Sequence, residues 1–169
     1  EQIARDDRYF TFLDDCGDRC HVVLGDARLS LAAASDARYQ LIALDAFSSD
    51  AIPMHLLTRE AMGVYLSRLA PHGVLAVHIS NRHLRLNGLV GHLAAAHGLV
   101  AREMRDVHKT EAWPKDKTAS HWIVMARTPE DLGAIARDPA WTVPPGGGGE
   151  PLWTDDFSNI LNVLQVRFR

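Results

Sequence analysis

The sequence predicts an α/β fold, a largely parallel sheet covered by helices. Three observations carry this. Short runs that are apolar along their whole length recur at 21–24, 39–44 and 73–79, as buried strands do when both faces are covered. Segments with helical spacing of apolar residues separate them. The chain has 169 residues, 47% of them hydrophobic, enough for one domain with one core.

Ile3 to Phe12 reads as the end of a helix and a turn, with Phe10 and Phe12 facing inward. His21–Leu24 is a buried strand closed by Gly25-Asp26. Arg28 to Ala34 is a helix, and Tyr39–Leu44 a second buried strand stopping at Asp45. A loop of turn formers runs from Ala46 to Pro53. Thr58 caps the next helix, Glu60 complements its dipole, and Pro71-His72-Gly73 ends it. Gly73–Ile79 is the clearest strand. Asn87 to His97 is a helix with Gly98 as its C-terminal stop. Val100–Val107 and Ser120–Ala126 are further strands, joined by a loop holding Trp113. Pro129 to Arg137 is a short helix, and 144–149 is a flexible Pro/Gly linker within a single 1–169 domain. Asp155 and Asp156 cap a final apolar segment, Ile160 to Val166.

The net charge of −3 gives no reason to expect a nucleic acid or an anionic membrane as partner. No apolar run approaches the roughly 20 residues that span a bilayer. Cys16 and Cys20 make a poor zinc signature and read as free thiols of a reducing compartment. The nine histidines show no metal-binding spacing.

Ligands of open α/β sheets bind beyond the carboxyl ends of the strands. Three strand ends carry candidate groups. After the first, Gly25-Asp26-Ala27 lets the backbone approach a ligand, with Asp26 an acceptor for an amino group; the same residues also suit a plain turn and N-cap. Asp45 ends the second among apolar neighbours, where a charge needs a partner or a task. His78-Ile-Ser80-Asn81 ends the third, His78 reading as a packed core histidine and Ser80 and Asn81 as turn residues.

In order, Leu24-Gly-Asp-Ala-Arg28, Tyr39 through Asp45 to Pro53, Leu56-Leu-Thr-Arg-Glu60, Pro71-His-Gly-Val-Leu75 and Leu152-Trp-Thr-Asp-Asp-Phe-Ser158 resemble the spermidine synthase family. The nearest likeness is to bacterial spermidine-synthase-like domains fused to transporter-like membrane segments. The resemblance implies a class I methyltransferase-type Rossmann-like sheet. It implies transfer of an aminopropyl group from decarboxylated S-adenosylmethionine to a polyamine such as putrescine, in the cytoplasm. Asp45 would accept the amine's proton, and Gly25, Asp26 and Ala27 would hold the nucleoside, Asp26 by the adenine amino group. The loop from Ala46 to Leu57, with Ser48 and Asp50, would gate the polyamine, and Trp113 would line its methylene chain or cover the core edge.

Two departures qualify this. Classical members carry a second acid three residues after the first, where this chain has Ser48, with Asp50 nearby. The family's first two strands, with their glycine loop and ribose-binding acid, have no counterpart after Glu1. The chain therefore reads as the later part of a longer protein, not active alone, with a membrane segment upstream as one arrangement. In the family's sheet the first and second strands separate the third from the fourth. The segment 21–24 would then detach, or another copy or a preceding segment would fill the gap. Two alternatives share this scaffold: a methyltransferase-type enzyme using S-adenosylmethionine, and a non-catalytic polyamine- or nucleoside-binding domain.

Overall fold

The structure is a computed structural model describing residues 1–34, 38–46, 53–81, 83–107, 117–146 and 152–164. The helices α1 (Phe12–Cys16), α2 (Ala27–Ala33), α3 (Arg59–Arg68) and α4 (Asn87–Ala96) accompany strands β1 (Tyr39–Leu44), β2 (Leu69–His78), β3 (Val100–Asp106) and β4 (Ser120–Ala126). The sheet order is β1-β2-β4-β3. This is the α/β class expected. β1 and β2 are parallel, while β4 runs antiparallel to both β2 and β3, so the sheet is mixed.

The core follows from the apolar patterning. Leu75 and Val77 of β2 and Ile123 and Met125 of β4 are buried against Ala61, Met62 and Tyr65 of α3 and Leu89, Val90 and Leu93 of α4. A smaller cluster on the other face joins Ala76, Val124 and Ala126 to Leu132. Thr58 caps α3 as expected, its hydroxyl accepting from Ala61 N–H at 3.1 Å. Gly98, at φ 67°, follows α4 in the left-handed conformation.

Several expectations are corrected. His21–Leu24 is not a strand: it has no sheet partner, and Val23 and Leu24 are exposed. β1, expected to be buried, buries only Ile42, because among the described residues its sole strand neighbour is β2. Phe10 and Phe12 do not face inward. They are exposed and meet each other edge to face at 5.6 Å. Cys16 and Cys20 are not free thiols but a disulfide, their Cα atoms 5.7 Å apart, which removes the free-thiol argument for a reducing compartment. No helix among the described residues is long and apolar enough to cross a membrane.

Pro71-His72-Gly73 does not end α3. The strand starts at once, at Leu69, and the pairing slips between Tyr39↔Leu69 and Leu41↔Val74, so the tripeptide sits in a bulge. Gly73 is required there by close approach: a Cβ would fall 2.8 Å from the Tyr39 carbonyl oxygen and 2.8 Å from Leu69 Cγ. Gly73→Ala is expected to destabilise the fold by about 1–3 kcal/mol through this overpacking. A denaturant midpoint equal to wild type would refute it.

Residues 130–136, expected as a helix, are two 3-10 turns across a kink at Gly133. Of the expected 144–149 linker, residues 144–146 are described, and Pro145 and Gly146 are exposed. Pro144 is buried, and the Pro145 carbonyl lies where a side chain on Gly91 would stand.

Candidate active site

Two polar clusters hold the candidate residues. The first lies beyond the ends of β1 and β2. Asp45 Oδ1 is 2.6 Å from His78 Nδ1, and His78 Nε2 is 2.6 Å from Ser80 Oγ. The His78 ring stacks on Trp122 of β4, with centroids 4.6 Å apart and planes 16° from parallel. Ser80 Oγ also accepts the His121 N–H at 2.8 Å. The parallel register that pairs Leu44 with Val77 brings the two strand ends level. The result is a carboxylate–imidazole–hydroxyl chain in which the Asp45 side chain is 58% exposed and that of His78 19%. His78, expected as a packed core histidine, is indeed packed, on Trp122, and both its ring nitrogens are engaged. The signal in the sequence was its spacing, a His two residues before a Ser at a strand end and so on the same face.

Ser80 opens on a cavity of about 420 Å³ that Asn81, Arg105, Ser120 and His121 also line. The His121 ring is turned to Glu103 of β3, Nε2 to Oε1 at 2.6 Å.

The second cluster surrounds Asp26. Its Oδ1 caps α2 by accepting the Leu29 N–H at 2.9 Å, and its Oδ2 meets His55 Nε2 at 2.8 Å. These contacts hold its carboxyl below the usual range, the Leu29 amide first and His55 after it. The N-cap reading of Gly25-Asp26-Ala27 is therefore realised, with Gly25 at φ 135° and Ala27 opening α2.

Beside it Arg28 grips Asp155 with two bonds of 2.7 Å and donates to the His55 carbonyl at 3.0 Å. Thr58 Oγ1 donates to Asp155 at 2.8 Å. Arg28, His55, Thr58, Asp155 and Ser158 line a cleft of about 360 Å³. Asp155 does not cap the final segment, as expected; Asn159 does, accepting from Leu161 N–H at 3.0 Å, while Asp155 ties the tail to α2 and α3. Asp26 and Asp45 thus belong to separate hydrogen-bonded networks. Ser48, Asp50 and Trp113 lie outside the described residues.

Arg28, with help from the Thr58 hydroxyl, holds the Asp155 carboxyl down at about 2. A carboxylate whose folded value is depressed stabilises the fold above its unfolded value, about 3.9, and loses that contribution as pH falls through the folded one. Docking of the tail is therefore expected to weaken between about pH 4 and about 2. Trp153, buried next to Asp155, reports it: its indole NMR signal should shift in that window in wild type but not in Asp155→Asn. Identical acid behaviour of the two proteins would contradict the assignment.

A stretch of the chain is similar to a polyamine aminopropyltransferase. That protein, from Vibrio vulnificus, is 39% identical over 79 residues, which are 46% of this chain and 25% of the relative. The chain thus matches about a quarter of the length of that curated relative. A solved structure, MNMC2 from Aquifex aeolicus, superposes with a TM-score of 0.48 at 19% identity, covering 69% of this chain and 35% of that one. No protein-family model matches.

Proposed function

We propose that the protein takes part in aminopropyl transfer from decarboxylated S-adenosylmethionine to a polyamine such as putrescine, with Asp45 as the proton acceptor. The observation that carries this reading is the placement of Asp45: an exposed carboxylate at the carboxyl end of a parallel strand, held on one oxygen by His78. The partial likeness to an aminopropyltransferase supports it.

The chemistry asks for such a group. A neutral amine attacks the carbon beside the sulfonium. The new C–N bond forms as the C–S bond breaks, the electron pair goes to sulfur, and the nucleoside leaves as neutral 5′-methylthioadenosine. The attacking nitrogen must shed a proton, and a carboxylate within hydrogen-bond reach takes it. The same negative charge draws the cationic amine and the cationic sulfonium together.

In this reading Gly25, Asp26 and Ala27 face the nucleoside. Asp26 keeps acceptor capacity beyond its bonds to Leu29 and His55, since a carboxylate offers about four lone-pair sites. The loop with Ser48 and Asp50, and Trp113, would hold the amine. Calorimetry with 5′-methylthioadenosine tests the nucleoside half: saturable binding weakened by Asp26→Ala is expected, and heat no greater than dilution would count against it.

A further inference from the structure

His78 is bonded on both ring nitrogens, and the exposures along its chain have a direction. In a serine-nucleophile triad the carboxylate is buried and the serine meets the substrate. Here the carboxylate is the open end, with its side chain 58% exposed against 19% for the imidazole. The chain is therefore arranged to control Asp45 rather than to activate Ser80.

The carboxylate decides how. It can only accept, so the Nδ1 that lies 2.6 Å from Asp45 Oδ1 carries the proton. In the neutral ring Nε2 is then the acceptor, and the Ser80 O–H donates to it at 2.6 Å while Ser80 Oγ accepts the His121 N–H at 2.8 Å. The stack on Trp122 holds the ring plane. We propose that His78 is a positioning residue for Asp45: donating from Nδ1, it fixes Oδ1 and leaves Oδ2 to receive the amine's proton. The proposal rests on the reading of Asp45 as proton acceptor.

The groups around the ring fit this role. From β1 it meets Asp45, and from β4 the uncharged Trp122. The His121 ring is occupied by Glu103 of β3, and Arg105 of β3 lines the cavity beyond Ser80.

The test compares His78→Gln, His78→Phe and Asp45→Asn in the kinetics of aminopropyl transfer, alongside nitrogen NMR of the wild-type imidazole. His78→Gln, which keeps a donor toward Asp45, should retain most of the rate. His78→Phe, which keeps a ring against Trp122 but donates nothing, should lose about 10–100-fold in kcat with the nucleoside KM unchanged, the scale of one lost charge-assisted bond. NMR should find neutral His78 as the Nδ1–H tautomer whether or not transfer is detected. An Nε2–H tautomer overturns the proposal. So does an unchanged kcat in His78→Phe while Asp45→Asn is inactive. Full activity in Asp45→Asn would instead remove the proposed function itself.

Discussion

Asp45→Asn is expected to lower the rate of aminopropyl transfer by about 100–10,000-fold, the range that a positioned proton acceptor contributes. The amide is nearly the shape of the carboxylate and can still accept the His78 Nδ1–H through its oxygen, so the network of Asp45, His78 and Ser80 should persist. What is lost is basicity and charge. The attacking amine then has no group to take its proton, and the cationic amine loses its electrostatic anchor. The effect should therefore appear in kcat and in the KM for the amine, with little change in nucleoside binding. Steady-state kinetics with each substrate varied in turn checks this. A variant within tenfold of wild type would place the proton acceptor elsewhere.

The second large effect concerns the frame that brings Asp45 and His78 together. Leu75 lies in β2, between Ile42 of β1 and Met125 of β4, and its side chain is fully buried. Leu75→Ala removes three buried carbons from a tightly packed centre and leaves a void that the two flanking strands cannot close. A loss of about 2–5 kcal/mol is expected. That is a large part of the roughly 5–15 kcal/mol by which a domain is stable. Denaturant unfolding reads it, with the midpoint falling and the slope unchanged. A shift below about 1 kcal/mol would mean that the site at the strand ends is held by something other than this core.

The sheet was legible where its own residues decide it. Gly73–Ile79 and Ser120–Ala126 were read as strands and pair with each other; the second forms over the residues read, while the first begins earlier, at Leu69, and ends at His78. Tyr39–Leu44 was legible in extent but not in burial, because burial depends on what lies beside a strand, and no periodicity reports that. His21–Leu24 has the same apolar character and makes no strand. A β-segment is stable only with a partner to accept its hydrogen bonds, and the topological argument, not the hydrophobicity, exposed the difficulty. The disulfide was missed because two cysteines four apart say nothing about their oxidation.

At the site the pattern is similar. Asp45 could be singled out as an acid closing a buried run. Its partner could not, because contact between strand ends depends on the parallel register that sets Leu44 against Val77. Asp155 looked like a helix cap from its local surroundings. Its actual partners, Arg28 and Thr58, lie 127 and 97 residues away in sequence, and a long-range bond of that kind leaves no local trace.

The most direct measurement is mass spectrometry of the products when the protein is given putrescine with decarboxylated S-adenosylmethionine, and in parallel with S-adenosylmethionine. The account predicts 5′-methylthioadenosine and an aminopropylated amine in equal amounts from the decarboxylated donor alone. Methylated product with S-adenosylhomocysteine from the ordinary donor, or no conversion of either, would contradict it.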